Sequence, residues 1–375
     1  MKIVSVVGAR PNFMKVAPFC RALGKHPSVR HLLVHTGQHY DVRMSEQFFR
    51  ELDIPDPDIN LEIGSGSHAE QVGRTMIAFE KVLRAEKPDW VVVLGDVNAT
   101  CACSITAKKE HVRCAHIEAG LRSRDMDMPE EINRLVTDRL SDLLFTPDRI
   151  SSANLEAEGA PRDSIRFVGN IMIDTLERER AKAAALDLGR IVRDNLAAPG
   201  GADAPELSDF SYVAVTMHRP SNVDQPGTLV PAVRFFIDEV SKRLPVVWAI
   251  HPRAQKMLME FGLWDEVSAC PGIVLVKPLG YHAMLRLNMG ARLFMTDSGG
   301  LQEECCVLGT PCLTMRWNTE RPITLMENGG ASILVGNAVE KMREAFKSQI
   351  DAPRRAMRPE LWDGHTAERI AEAFV

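Results

Sequence analysis

The chain has 375 residues, of which 45% are hydrophobic and 25% charged, as in average soluble globular proteins. This composition excludes a disordered chain, a fibrous protein and a disulfide scaffold, and the length predicts two domains. The net charge of −5 and the lack of a long basic run argue against nucleic-acid binding. The positive charge for an anionic ligand must therefore be supplied locally.

The cysteines and the first residues indicate a reduced compartment. None of the eight cysteines forms a Cys-x-x-Cys pair or stands at zinc-finger spacing from a histidine. We interpret Cys101-x-Cys103 and the vicinal Cys305-Cys306 as small apolar fillers, with a catalytic thiol as the second interpretation. The opening MKIVSVVG lacks a signal-peptide cleavage region, and the apolar stretches are far shorter than the ~20 residues that span a membrane. We predict a cytoplasmic protein that does not enter a membrane.

Short β-branched runs alternate with longer amphipathic stretches along the whole chain. Apolar runs without strict alternation, each followed by a helical pattern, are typical of parallel strands buried on both faces. The predicted fold class is α/β with doubly wound sheets. The runs form two series: Lys2–Val7, Leu32–Thr36, Trp90–Leu94, Cys114–Ile117, Leu143–Thr146 and Arg166–Val168, then Tyr212–Thr216, Val246–Ile250, Ile273–Val276 and Arg292–Thr296.

The strand pattern pauses between Asp174 and Asp209. A helical stretch, Leu176–Leu196, gives way there to AAPGGADAPELSD, whose Gly, Pro and small residues are typical of an exposed connection. We predict one α/β domain before and one after about residue 170. The amphipathic segment from about His365 to Val375 fits either domain.

Polar residues follow many of these runs at the point where the predicted strand ends. Ligands of open α/β sheets bind beyond the carboxyl ends of the strands, so these residues predict a binding cleft. Each one alone could be a turn or cap residue. The set is Gly8-Ala9-Arg10, Gly95-Asp96, Glu118-Ala119-Gly120, His218-Arg219, His251-Pro252-Arg253 and Asp297-Ser298-Gly299-Gly300.

The strongest phosphate candidate is the Ser298-Gly299-Gly300 turn, with a helix predicted to start near Leu301. Backbone N–H groups at such a helix start bind anions, although an ordinary N-cap by Ser298 explains the local pattern equally well. Arg10 and Lys15 could also face an anion, but the first turn lacks G-x-G-x-x-G. His218-Arg219 and His251 offer donors to a pyrophosphate, and no close His spacing supports the competing metal site.

Asp96 and Glu118 are the leading acid–base candidates, because both follow buried strands where desolvation and neighbouring charges shift carboxyl pKa values. MPEEINRLVTDRLSD predicts a helix opened by Pro129. Its acidic first turn is explained by the helix dipole, yet Glu131, Arg134 and Asp138 share one polar stripe. Glu131 is therefore a third candidate.

These motifs, in this order, resemble the non-hydrolysing UDP-N-acetylglucosamine 2-epimerases from residue 3 to about residue 336. The resemblance implies the GT-B architecture, with two Rossmann-like domains around a central cleft, usually as a homodimer without metal or nicotinamide cofactor. It implies an N-terminal domain of residues 1–170, completed by the C-terminal helix 360–375, and a C-terminal domain of residues 171–359. The motifs are GARPNFMKVAPF, TGQHYD, GDVNAT, HIEAGLRS, MPEEINR-x₃-D, GNIMIDTL, HRPSNVD, HPR, PLGY, TDSGGLQEE and NTERPIT.

The resemblance also implies residue roles. The positions around the sugar and diphosphate are Arg10, Lys15, Asp96, Glu118, Glu131 and His218. Those on the nucleotide side are Ser298, Gly299, Gly300, Glu304, Arg219, His251 and Arg321, with Glu304 at the ribose and Tyr281 beside the uracil. Gln38, His39, Gln71 and Arg74 are candidates for regulation by a second UDP-sugar molecule, although TGQHYD and HRPSNVD differ from the TAQHREM and GHRRE forms of other members.

The implied reaction interconverts UDP-N-acetylglucosamine and UDP-N-acetylmannosamine. UDP leaves C1 while C2 loses its proton, and reprotonation on the other face with return of UDP inverts C2. Four alternatives stay open. They are a 2-epimerase of UDP-2,3-diacetamido-2,3-dideoxy-glucuronate, a hydrolysing epimerase, a GT-B glycosyltransferase and a non-catalytic UDP-sugar sensor. The TGQHYD form also occurs in relatives that epimerise the first of these sugars.

Overall fold

A computed structural model describes residues 1–37, 49–198 and 206–375. The chain forms two compact units, one of Met1–Arg178 with Pro359–Val375 and the other of Glu179–Arg358. The predicted boundary after residue 170 precedes the helix Ile171–Ala184, and the chain passes from one unit to the other within that helix. In the described part of the chain, no helix has the length and apolarity needed to cross a bilayer.

Within the described residues, the first unit has seven strands: β1 (Lys2–Val7), β2 (Arg30–His35), β3 (Ile59–Asn60), β4 (Trp90–Leu94), β5 (Arg113–Ile117), β6 (Leu143–Thr146) and β7 (Ile165–Phe167). They form one parallel sheet in the order β3-β2-β1-β4-β5-β6-β7. Its helices are α1 (Arg10–Leu23), α2 (His68–Glu86), α3 (Asn98–Lys109), α4 (Pro129–Leu140), α5 (Arg149–Ala157), α6 (Ile171–Ala184) and the C-terminal α15 (Thr366–Glu372).

The second unit has six strands in the described ranges: β8 (Val213–Thr216), β9 (Val246–Ala249), β10 (Ile273–Val276), β11 (Leu293–Thr296), β12 (Cys312–Thr314) and β13 (Ser332–Leu334). Their order is β10-β9-β8-β11-β12-β13, again all parallel. Its helices are α7 (Leu188–Asp194), α8 (Pro220–Val223), α9 (Pro226–Phe235, continued by a π-helical turn, Phe236–Val240, and by Ser241–Arg243), α10 (Pro252–Glu260), α11 (Trp264–Ala269), α12 (Tyr281–Gly290), α13 (Gly299–Leu308) and α14 (Val339–Gln349).

The two parallel sheets confirm the predicted fold class. Central strands such as β4 and β9 are fully buried and purely apolar, because helices cover both faces of each sheet. The sequence did not reveal β3, β12 and β13, which are only two or three residues long. The predicted helix Leu176–Leu196 is two helices, since Asp187 caps a new start by accepting a hydrogen bond from Arg190 N at 2.6 Å.

The segment Pro359–Val375 is anchored to the first unit by buried hydrogen bonds. The indole Nε1 of Trp362 donates to Pro147 O at 2.9 Å. At the start of α15, Thr366 N and Ala367 N donate to the two carboxylate oxygens of Asp174 at 3.1 and 2.7 Å. Burial raises the pKa of Asp174 from 3.8 to about 6, although these N–H groups act to lower it. A titratable carboxyl therefore anchors the end of the described chain.

Replacing Asp174 with Asn should change how stability varies with pH. Because the pKa of Asp174 is raised in the folded state, the unfolded chain releases this proton first as the pH rises. The contribution of Asp174 to the unfolding free energy is therefore greatest near or below the unfolded pKa of 3.8 and decreases until the pH passes about 6. We expect the wild type to lose on the order of 2–3 kcal/mol relative to Asp174→Asn across this window.

Urea unfolding of both proteins between about pH 4 and 7 measures this difference. Asp163→Asn, at an exposed aspartate of the same unit, is the control. Parallel stability curves for the wild type and Asp174→Asn would contradict the expectation.

Candidate active site

In the first unit, a buried asparagine joins the turn after β1 to the end of β4. The Asn12 Oδ1 accepts from Gly8 N and Ala9 N at 3.1 and 3.3 Å, and its Nδ2 donates to Leu94 O at 2.8 Å. One turn along α1, Lys15 is 4% exposed and forms an ion pair with Glu118, which is 5% exposed. The lysine charge therefore lies inside the unit, beside a predicted acid–base residue.

The turns that follow β4 and β5 have left-handed backbone conformations. The φ angles of Gly95, Glu118 and Gly120 are 63°, 77° and 82°. A Cβ at position 95 would lie 2.8 Å from the Lys15 Nζ and 3.3 Å from a Glu118 carboxylate oxygen, so glycine permits the close approach of this ion pair. A glutamate at positive φ is strained, which is typical of functional sites.

A buried guanidinium connects the other two acidic candidates. The side chain of Arg134 is 1% exposed and forms ion pairs with Asp96 and, at 2.6 Å, with Glu131. Asn133 Nδ2 also donates to the backbone oxygen of Asp96 at 2.9 Å. The side chain of Asp96 is 22% exposed, against 2% for those of Glu118 and Glu131. Asp96 is therefore the acidic candidate most open to a ligand.

Glu131 is held on both carboxylate oxygens. Its Oε2 accepts from Ser123 N, Ser123 Oγ, Arg134 Nε and Arg134 NH2 at 2.6–3.1 Å, and its Oε1 accepts from Arg124 N at 2.9 Å. Burial acts to raise the pKa of Glu131, but the Ser123 and Arg134 donors outweigh it and lower the pKa. Glu131 is therefore kept ionised, and its contacts suit holding Arg134 better than moving a proton.

The remaining predicted residues of the first unit are Arg10, Gln38, His39, Gln71 and Arg74. Arg10 is the first residue of α1, while Gln38 and His39 lie outside the described residues. Gln71 accepts a hydrogen bond from Asn98 Nδ2 at 2.8 Å, and Asn98 in turn accepts one from Asn133 at 3.2 Å. Arg74 pairs with Glu70 on the exposed face of α2 at 3.0 Å.

In the second unit, the buried carboxylate of Asp297 organises the turn after β8. It accepts from His218 N and Arg219 N, each at 2.9 Å, and from Asn222 Nδ2 at 3.0 Å. It also contacts the His218 Nδ1 at 2.7 Å, while the His218 side chain is 40% exposed. Burial acts to raise the pKa of Asp297, but His218 and the N–H donors outweigh it, and the pKa falls to about 2. His218 is thus oriented with its Nε2 left for a ligand.

The Ser298-Gly299-Gly300 turn leads into α13, which starts at Gly299, just before the predicted start near Leu301. The Ser298 side chain makes no capping hydrogen bond, so the N-cap interpretation is wrong. A Cβ at Gly299 would lie 2.6 Å from Glu320 Oε1 and 2.7 Å from Arg321 NH1. Arg321 itself pairs with Glu320 and, at 2.8 Å, with Glu303. The helix start therefore lies against a buried cluster in which Arg321 is paired with two glutamates.

Glu304 lies on the same helix and is fully buried beside Asn288 and Tyr281. Burial raises the pKa of Glu304 from 4.5 to about 7, so its carboxyl group changes charge near neutral pH. Tyr281 is 4% exposed in this structure. His251 caps α10, its Nδ1 accepting from Arg253 N at 3.2 Å, and its ring centroid lies 5.6 Å from that of His218.

Sequence reasoning gave no role to Arg134, Asp297, His116 or Asp138. Arg134 and Asp138 stand in the polar stripe of α4, and Asp297 stands in the strand-end set, so the sequence pattern could have indicated a role for these three. His116 lies in an apolar strand run, and no local pattern distinguishes it from a core residue. Over the ranges that the structure describes, no group of His, Cys, Asp and Glu side chains is arranged to hold a metal ion.

Gly95→Ala should destabilise the first unit. An alanine at position 95 must adopt a left-handed conformation, and its Cβ displaces the Lys15–Glu118 pair. We therefore expect the free energy of unfolding to fall by about 1–3 kcal/mol. Gly73→Ala is the matched control, because a Cβ there meets nothing within 4 Å inside α2, and we expect a gain of about 0.5–1 kcal/mol. Urea unfolding measures both, and an unchanged stability of Gly95→Ala would refute the argument.

Comparisons with known proteins identify the family of the chain. A family profile described as UDP-N-acetylglucosamine 2-epimerase matches residues 21–375. The UDP-N-acetylglucosamine 2-epimerase of Methanocaldococcus jannaschii is 41% identical over 372 residues, covering 99% of this chain and 98% of that protein. The UDP-2,3-diacetamido-2,3-dideoxy-D-glucuronate 2-epimerase of Pseudomonas aeruginosa is 37% identical, covering 99% of each.

Two solved structures match over their whole length. The M. jannaschii UDP-GlcNAc 2-epimerase in complex with UDP-GlcNAc and UDP has a TM-score of 0.89 at 40% identity, covering 100% of this chain and 99% of that one. The Neisseria meningitidis enzyme bound to UDP-GlcNAc has a TM-score of 0.87 at 28% identity, with the same coverage. The chain therefore belongs to the UDP-N-acetylglucosamine 2-epimerase family.

Proposed function

We propose that the chain interconverts UDP-N-acetylglucosamine and UDP-N-acetylmannosamine by eliminating and re-adding UDP. The observation that carries the proposal is the cluster at the ends of β4 and β5, where Asp96 and Glu118 are each held by a buried cation. Family membership identifies the substrate class to which such a cluster applies. The proposal does not involve a metal or a nicotinamide cofactor.

The chemistry needs groups that remove a proton from C2 on one face and return one on the other. We assign these steps to Asp96 and Glu118. Arg134 and Lys15 form ion pairs with these carboxylates, and each cation carries N–H groups that can stabilise developing negative charge. Glu131 acts through Arg134, because its contacts fix that guanidinium against Asp96.

The second unit supplies groups suited to a nucleoside diphosphate. His218, oriented by Asp297, and the N-terminus of α13 would stabilise the departing diphosphate, with Arg321 behind Gly299. We assign Glu304 to the ribose hydroxyls, which can donate hydrogen bonds to its carboxyl oxygens. Arg10, Arg219, His251 and Tyr281 stay proposed substrate-binding residues. Gln38, His39, Gln71 and Arg74 stay proposed regulatory residues, and the homodimer and cytoplasmic location stay predictions.

The specific observation behind a second candidate is the P. aeruginosa relative at 37% identity, named as a UDP-2,3-diacetamido-2,3-dideoxy-D-glucuronate 2-epimerase. Its sugar adds a carboxylate and a second acetamido group to the same C2 inversion. Parallel assays with the two UDP-sugars decide between the candidates by their kcat/KM values.

Solvent deuterium should enter at C2 during turnover. With UDP-N-acetylglucosamine in D₂O, and with metal chelated and NAD absent, we expect UDP-N-acetylmannosamine that carries deuterium at C2, followed by NMR. Removal and return of a proton on opposite faces requires this exchange. Epimerised product without deuterium would exclude the elimination mechanism, and accumulation of free N-acetylmannosamine would identify a hydrolysing enzyme.

Substitutions should separate chemistry from nucleotide binding. Asp96→Asn and Glu118→Gln should each lower kcat about 10²–10⁴-fold, because positioned acid–base groups contribute that much, with the affinity for UDP little changed. Glu304→Ala should instead weaken UDP binding, measured by calorimetry, while Glu340→Ala, at an exposed position of the same unit, should leave it unchanged. Near-normal turnover in both carboxamide variants would refute the assignment.

A further inference from the structure

His116 is a fully buried histidine in β5, two residues before Glu118. Its Nε2 lies 2.8 Å from the backbone oxygen of Gly95, and its Nδ1 lies 2.6 Å from the Asp138 Oδ1. Gly95 immediately precedes Asp96, so the ring reaches from the strand of one proposed acid–base residue to the turn of the other.

Both ring nitrogens of His116 face acceptors, so both must carry a hydrogen for both contacts to be hydrogen bonds. The carbonyl of Gly95 can only accept. Asp138 is ionised: burial acts to raise its pKa, but His116 and the Arg122 guanidinium outweigh burial and lower it. His116 and Asp138 therefore form a buried imidazolium–carboxylate pair.

The second oxygen of Asp138 extends the connection to the other turn. Its Oδ2 accepts from Gly120 N at 3.1 Å and from Arg122 NH1 at 2.7 Å. Each turn contains left-handed residues and begins with a backbone hydrogen bond to a neighbouring strand, from Gly95 N to Ile117 O at 3.0 Å and from Glu118 N to Phe145 O at 3.1 Å. In addition to these bonds, the pair joins the two turns through side chains at Gly95 O and Gly120 N.

We infer that the His116–Asp138 pair is a positioning unit that sets the separation of the Asp96 and Glu118 carboxylates. This inference rests on the proposed function, because it gives the pair its purpose through proton transfer by those two residues. A displacement of about 1 Å at reacting groups can lower turnover ~10²-fold, so the pair can govern the rate without touching the substrate.

Two variants at position 116 separate positioning from packing. Gln places an N–H near the site of the imidazole Nε2 and can still donate to Gly95 O, whereas Asn places one near Nδ1 and cannot. We expect His116→Asn to lower kcat about 10²-fold with KM and UDP affinity unchanged within about twofold. His116→Gln should recover most of this loss.

His111→Asn, at an exposed histidine of the same unit with φ of 58°, is the control for the substitution itself. Wild-type kcat in His116→Asn would overturn the inference. The inference would also be overturned if both variants lost kcat equally and in proportion to the decrease in melting temperature. Loss of packing alone predicts that result.

A measurement on the wild type keeps the inference testable if the variants do not fold or the enzyme acts on another substrate. Nitrogen-15 NMR of histidine-labelled protein should show both ring nitrogens of His116 protonated at neutral pH. An unprotonated ring nitrogen would overturn the pair. If the wild type converts neither UDP-sugar while both nitrogens are protonated, the proposed function fails and the pair stands as the connection between the two turns.

Discussion

Ionised side chains taken out of water need partners of opposite charge, and this requirement shapes the first unit. Lys15 is buried against Glu118, and Arg134 is buried between Asp96 and Glu131. Breaking either contact would leave an uncompensated charge inside the protein. The backbone conformations at the strand ends, including the positive φ of Glu118, follow from the need to bring these groups together.

The two units differ in how the polar side chains that follow their strands are held. In the first, the carboxylates of Asp96 and Glu118 pair with buried cations on α4 and α1. In the second, the buried carboxylate of Asp297 orients His218. The first arrangement suits proton transfer, and the second suits holding an anion.

The strand runs could be read from the sequence because a buried parallel strand leaves an apolar run, and each proposed acid–base residue stands directly after such a run or on the next helix. What could not be read is which partner each residue has. The Lys15–Glu118 contact joins residues far apart in the chain, and no local pattern encodes it. His116 was missed since a histidine inside an apolar run reads as a core residue. For Ser298 the pattern allowed a capping hydrogen bond that its side chain does not form.

The return of Pro359–Val375 to the first unit has a consequence for biosynthesis. The ring of Phe374 lies 6.3 Å from that of Phe19, 5.4 Å from that of Trp90 and 5.8 Å from that of Phe145. A ribosome completes the entire second unit before it supplies this aromatic side chain. During translation the first unit therefore lacks the aromatic contacts of Phe374 until the second unit has been synthesised, so its core is completed last.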